Sequence, residues 1–166
     1  MAHGNLNNDQ TWFLRTKDGK FYVKDLLELF NPKNCPSLSN KPKLFIVQAC
    51  EGEKEDEGHL HRDGLELDGP GDHYYIPTYA DFLLAKASVQ GYTAYRTLPV
   101  PGYPKLGGSQ YIRTLCDVLE KEHKKEDLLG MLTLVGDRVA DYGNNGCKKQ
   151  MPSFISTLRR RIYFNV

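Results

Sequence analysis

The chain has 166 residues, enough for one domain with a substantial core. It is 40% hydrophobic and 26% charged, with a formal net charge of +1. That balance describes an ordinary globular protein and gives no whole-molecule field toward nucleic acid or an anionic membrane. No apolar run approaches the roughly 18–20 residues of a bilayer span. The first residues show no basic stretch followed by an apolar one, so no signal peptide is predicted. The four cysteines, Cys35, Cys50, Cys116 and Cys147, are far apart and form no Cys-x-x-Cys pair. Reduced thiols in a cytoplasmic setting are the expectation, with Cys35, Cys116 and Cys147 structural.

In chain order, Thr11–Arg15 and Lys20–Val23 are rich in β-formers and flank Lys17-Asp18-Gly19, which predicts a hairpin. Lys24–Phe30 carries Leu26, Leu27, Leu29 and Phe30, a short amphipathic helix stopped at Asn31-Pro32. The run Lys43-Leu44-Phe45-Ile46-Val47-Gln48-Ala49-Cys50 is short and apolar, and it predicts a strand buried on both faces that ends in a cysteine. Strand ends in α/β sheets open onto the crevice where ligands bind, so this thiol is a candidate nucleophile.

Glu51–His73 holds nine acidic residues, two basic ones and five glycines, which predicts a mobile linker dividing the domain. Ala80–Ala87 is apolar on one side, and Gly91–Arg96 reads as a strand. Thr97–Gly108, with three prolines and three glycines, is loop. Ser109 caps a helix carrying Tyr111, Ile112, Leu115, Cys116, Val118 and Leu119 at helical spacing. A second helix is predicted from about Glu126 to Asp141, and terminal strands at Phe154–Leu158 and Arg161–Phe164. There are no internal repeats. The alternation of strands and helices argues a three-layer α/β sandwich.

A cysteine nucleophile needs a base or activating partner and a site for the developing oxyanion. His3 lies 47 residues before Cys50 and is followed by Gly4. The local caspase signature is Gln-Ala-Cys, then Arg, Gln or Gly, then Gly, with a histidine about 50 residues upstream. Gln48-Ala49-Cys50-Glu51-Gly52 and His3-Gly4 resemble it. Further likenesses follow in the family's order: Lys41-Pro42-Lys43-Leu44-Phe45-Ile46, Asp56-Glu57-Gly58, Ile76-Pro77, Ala80-Asp81-Phe82-Leu83, Tyr95-Arg96, Gly108-Ser109, Lys149-Gln150-Met151-Pro152 and Ile162-Tyr163-Phe164.

The resemblance to caspases, of the caspase–hemoglobinase fold, implies a three-layer α/β/α sandwich with a mostly parallel central sheet. It implies a cysteine endopeptidase that cuts after aspartate in apoptosis or inflammatory signalling and needs no cofactor or metal. Cys50 would be the nucleophile and His3 the acid–base. Gly4 and Cys50 would supply the oxyanion-hole N–H groups. Arg96 would bind the substrate aspartate bidentately, helped by Gln48, and Tyr95 would line the neighbouring subsite. The Tyr92–Arg96 strand would pair with the substrate backbone. The zymogen would cleave itself in the linker after Asp68, in Leu65-Glu66-Leu67-Asp68, with Asp63 a weaker site. Residues 1–68 would then be the remainder of the large subunit and 69–166 the small one. The partners implied are protein substrates and a second caspase chain, joined through the C-terminal strand around Phe154–Leu158. No nucleic acid or membrane is implied.

The chain departs from the family's pattern in places. Caspases have two strands, a helix and most of the histidine's own strand before His-Gly, together with a first aspartate-pocket arginine; here Met1 and Ala2 precede it. The first strands are therefore expected to be missing. Glu51 sets a negative charge beside the nucleophile, which disfavours a thiolate. Gln110 stands where tryptophan is common, so an aromatic wall of the outer subsites is missing. A second class of function is compatible with these departures: a weakly active or inactive regulator that dimerises with a full-length caspase. Outside the resemblance, His59-x-His61 is a weak metal signal, and Arg159-Arg160-Arg161 with Lys148-Lys149 reads as a solvated face.

Overall fold

A computed structural model of the chain describes residues 3–6, 11–50, 79–97, 108–141 and 149–164. The first unit is a meander of β1 (His3–Leu6), β2 (Trp12–Thr16) and β3 (Gly19–Tyr22), antiparallel in that order. Its hairpin turns at Lys17-Asp18, and Gly19 follows at φ +132°, a conformation that a side chain would disfavour. Helix α1 (Val23–Leu29) comes next. It stops where Asn31 turns its Oδ1 onto the N–H groups of Lys33 and Asn34, both at 2.9 Å, competing with further helix. A single 3-10 turn, Pro36–Leu38, leads toward the second unit.

The second unit is the sheet that organises the molecule. Strand β4 (Lys43–Val47) pairs in parallel with β5 (Phe82–Lys86), from Lys43 opposite Phe82 to Val47 opposite Lys86. Strand β8 (Ser153–Ser156) pairs antiparallel on the far side of β5. A two-residue ladder joins β6 (Arg96–Thr97) to β7 (Gly108–Ser109). Two helices complete the fold, α2 (Gln110–Glu122) and α3 (Leu128–Asp141). Ser109 accepts from the Ile112 N–H at 3.3 Å and so caps α2 as predicted. Asp127 accepts from the Gly130 N–H at 2.9 Å, which moves the start of α3 two residues past the expected Glu126.

The sheet has a different layer on each face. On one, Leu83, Ala85 and Ala87 pack with Tyr111, Leu115 and Val118 of α2 and Leu128, Met131, Leu132, Val135 and Val139 of α3. Their spacing of three and four residues is the helical period read in the sequence. On the other, Leu84, Phe45 and Val47 meet Trp12 of β2, Val23 of α1 and Ala49. This is a layered α/β sandwich. Each fully buried Leu, Val or Met contributes about 1.5–3 kcal/mol relative to exposure.

Several expectations are corrected. The cysteine strand is not buried on both faces: Leu44 is 39% exposed and Ile46 51%. They share a face with Leu83 and Ala85, and the cover given by α2 and α3 stops short of them. Strand β5 is instead buried throughout, not apolar on one side only. Arg161–Phe164 forms no strand; the Ile162 carbonyl accepts from the Leu128 N–H at 2.8 Å, and its side chain packs on the core from there. Cys116 lies on the exposed side of α2, not inward. Arg159 is not simply solvated: its Nε donates to Asp81 Oδ1 at 3.0 Å and its Nη2 pairs with Oδ2.

Candidate active site

The parallel pair brings the chemistry to one end. Cys50 follows β4 by three residues, and Ala87 continues β5, its N–H donating to the Val47 carbonyl at 3.1 Å. The Cys50 sulfur is half-buried and lies on the backbone of Ala94: Sγ accepts from the Ala94 N–H at 3.4 Å and sits 3.7 Å from the Ala94 carbonyl. The main chain of Cys50 is fixed from the other side. Trp12 Nε1 donates to the Cys50 carbonyl at 3.2 Å.

Gly4 packs against that same carbonyl. A Cβ built on Gly4 would strike the Cys50 oxygen and fall 2.8 Å from Trp12 Nε1, so only glycine permits the approach. The meander thereby delivers the His3-Gly4 end of β1 to the cysteine loop. His3 opens β1 opposite Arg15, and for His3 and Arg96 it is the backbones that are described. Lys86, which is buried, sets its ammonium 5.6 Å from the centre of the Trp12 ring, beneath the same corner.

The segment predicted as the strand 91–96 is a strand only at Arg96–Thr97, because its preceding backbone donors go elsewhere. Ala94 N–H turns to Cys50 Sγ, and Tyr95 N–H donates to Gln150 Oε1 at 2.7 Å. Arg96 itself pairs with Ser109. The Ser109 hydroxyl, besides capping α2, donates to Gln48 Oε1, so Gln48 is tied to β7, the strand that pairs with Arg96. Cys50, Gly4, Gln48, Tyr95 and the Arg96 backbone thus belong to one neighbourhood. Asp63 and Asp68 lie outside the described residues, as do Glu51, His59, His61 and Cys147.

Sequence reasoning missed Trp12, Lys86, Ser109 in its second role, and Gln150. The lone tryptophan beside a hairpin was the one available signal; Gln150 stood in a recognised motif without a reason attached. Among the described residues no helix is long and apolar enough to cross a membrane, and no three His, Cys, Asp or Glu side chains gather as metal ligands.

The site thus sets a thiol just past the end of a parallel strand, with a glycine on its carbonyl and the segment that leads to Arg96 against its sulfur, on an α/β sandwich. Comparison with known proteins gives the class. The family model of the caspase domain matches residues 1–163. Caspase-1 of Drosophila melanogaster is 35% identical over 99% of this chain and 52% of its own length. Human caspase-14 is 37% identical over 98% of this chain and 64% of its own. Mouse caspase-8 is 39% identical over 89% of this chain and 31% of its own. The crystal structure of caspase-1 from Spodoptera frugiperda superposes with a TM-score of 0.74 at 32% identity, covering 98% of this chain and 59% of that one. The chain belongs to the caspase family. It spans about half the length of the first relatives named.

Proposed function

We propose that the chain carries the catalytic corner of a caspase-like cysteine endopeptidase, cutting peptide bonds after aspartate in the cytoplasm during apoptosis or inflammatory signalling. The observation that supports it most is the contact of Cys50 Sγ with Ala94, two residues before Arg96. A substrate aspartate held by Arg96 would have its carbonyl carbon near the sulfur. With Gln48 Oε1 engaged by Ser109, the amide nitrogen of Gln48 is the group left to donate to that aspartate.

In this reading the Cys50 thiolate adds to the scissile carbonyl, and its π electrons move onto oxygen. The Gly4 and Cys50 N–H groups hold the oxyanion. As the C–N bond breaks, His3 gives its proton to the leaving amine, and a thioester remains on Cys50. Water then attacks the thioester, His3 takes its proton, and the sulfur departs to leave a new carboxyl terminus. The Tyr92–Arg96 segment would pair with the substrate main chain, and Tyr95 would border the next subsite. Cleavage after Asp68, or secondarily Asp63, would separate residues 1–68 from 69–166.

A second reading rests on a different observation. Strand β8 exposes Phe154 and Ile155, and among the described residues its outer edge is unpaired. That edge suits strand-to-strand pairing with a second copy or a longer caspase. In this reading the chain acts on that partner as a weakly active or inactive regulator.

Covalent labelling separates the two. The full chain is treated with a peptide electrophile bearing aspartate at its first position and read by intact mass, with Cys50→Ala as control. A single adduct that disappears in the variant is the outcome expected of the protease. Folded protein that takes no adduct would assign the chain to the regulator class.

A further inference from the structure

Resting on the protease reading, we infer that Gln150 is a positioning residue that sets the aspartate-binding segment against the nucleophile. Its side chain is 7% exposed and uses both ends of its amide. Oε1 accepts from the Tyr95 N–H at 2.7 Å, and Nε2 donates to the Ala87 carbonyl at 2.7 Å. Tyr95 is the residue before Arg96, and Ala87 is the residue after β5 whose N–H binds Val47 of β4. A single planar group therefore joins the segment that carries the arginine to the strand pair that carries the cysteine.

The physical case follows from what residues 93–95 lack. They sit in no ladder, so their register is set by individual bonds. Gln150 holds Tyr95, and Cys50 Sγ holds Ala94. The serines nearby repeat the pattern: Ser88 Oγ donates to the Tyr92 carbonyl and Ser153 Oγ to the Ser88 carbonyl, each at 3.1 Å. The sulfur contact must be released when Cys50 attacks. The Gln150 side chain is buried and its bonds take no part in the reaction, so they persist through it. Glutamine is the side chain that can donate and accept here without adding charge.

The test uses the full chain and two variants, Gln150→Met and Gln150→Glu. Methionine keeps the length and loses both bonds. Glutamate keeps the acceptor for Tyr95 and loses the donor to Ala87. Two rates are measured at Cys50: labelling by the aspartyl electrophile, which needs the pocket, and alkylation by iodoacetamide, which needs only the thiol. Gln150→Met should slow the aspartyl label by about tenfold or more while iodoacetamide uptake changes less than about twofold. Hydrogen exchange of the Tyr95 amide should quicken in Gln150→Met and return toward the parent rate in Gln150→Glu.

Unchanged aspartyl labelling, or parallel losses in both rates, would overturn the inference. So would Tyr95 exchange that ignores both variants. If the parent chain takes iodoacetamide but no aspartyl label, the protease reading fails on its own, and Tyr95 exchange alone decides whether Gln150 holds the segment.

Discussion

The two ends of the β4–β5 pair are built from different materials. At the end where the strands begin, the connections are charged. Buried Lys43 sets its Nζ 3.1 Å from the Ala80 carbonyl and 4.6 Å from the centre of the Phe82 ring. Asp81, at φ +67°, takes the guanidinium of Arg159, which also reaches Asn40 Oδ1 at 2.9 Å. At the end where the strands stop, neutral groups hold the backbone: Trp12 binds the Cys50 carbonyl, Ser109 binds Gln48, and Gln150 binds Tyr95 and Ala87, with Lys86 over the Trp12 ring as the buried charge there. A buried charge tolerates no loss of its partner, so the charged end is a fastening. A neutral bond is worth about 1 kcal/mol and aims a backbone without fixing the field there. The neutral bonds lie at the end of the sheet where strand ends open onto a crevice.

The sharpest way to break this comparison is at the fastening. Asp81→Ala removes the acceptor for Arg159 and leaves Lys43 buried beside an alanine in a left-handed conformation. The unfolding midpoint should fall by roughly 5 °C in thermal denaturation. Iodoacetamide uptake at Cys50 in the folded state should stay at the parent rate, since the site lies at the other end. An unchanged midpoint, or a changed Cys50 rate, would show that the two ends are not separate devices.

The reciprocal change is Ser109→Ala. It deletes the cap of α2 and the anchor of Gln48 together. The cost in stability should be smaller, about 1 kcal/mol, as for other N-cap losses. Labelling by the aspartyl electrophile should drop all the same, because Gln48 and the Arg96 strand lose their link. Ser109→Thr, which keeps the hydroxyl, should restore much of both. A variant that loses stability and keeps full labelling would reduce Ser109 to a cap.

What could be read in the sequence divides by how local the chemistry is. The cysteine end announced itself because its chemistry is local: Gln48-Ala49-Cys50, Asp18-Gly19 at the turn and Ser109 before an apolar period each carry their reason within a few residues. The fastening did not. Asp81 and Arg159 are 78 residues apart, and a run of three arginines reads as solvent-facing until the fold supplies the partner. Gln150 and Tyr95 are 55 apart and invisible for the same cause. The burial of β4 was misjudged because Leu44 and Ile46 match Leu83 in character. Only the lateral reach of α2 and α3 decides which of them is covered, and no pattern within a strand encodes its neighbour's width.

Acid is the mildest probe of the difference, and its sign can be worked out. The Arg159 guanidinium, hydrogen-bonded to the carboxylate, holds Asp81 below the ordinary aspartate range despite the opposing effect of burial. A carboxyl whose folded value is depressed contributes stability above its unfolded value, near pH 3.9, and loses it as the pH falls through the folded value. Asp117, held low chiefly by Lys121, titrates in the same direction, so the acid limb of the parent chain alone does not isolate Asp81. The difference between parent and Arg159→Leu does. The variant should be less stable at pH 7, and the gap should narrow steadily below about pH 4 as Asp81 is protonated and the pair ceases to matter in the parent. Cys50 alkylation compared between the two at pH 7 should show no gap. A stability gap that stayed constant to pH 2 would mean that Arg159 holds the strand through its packing and its bond to Asn40, and that the fastening is not electrostatic.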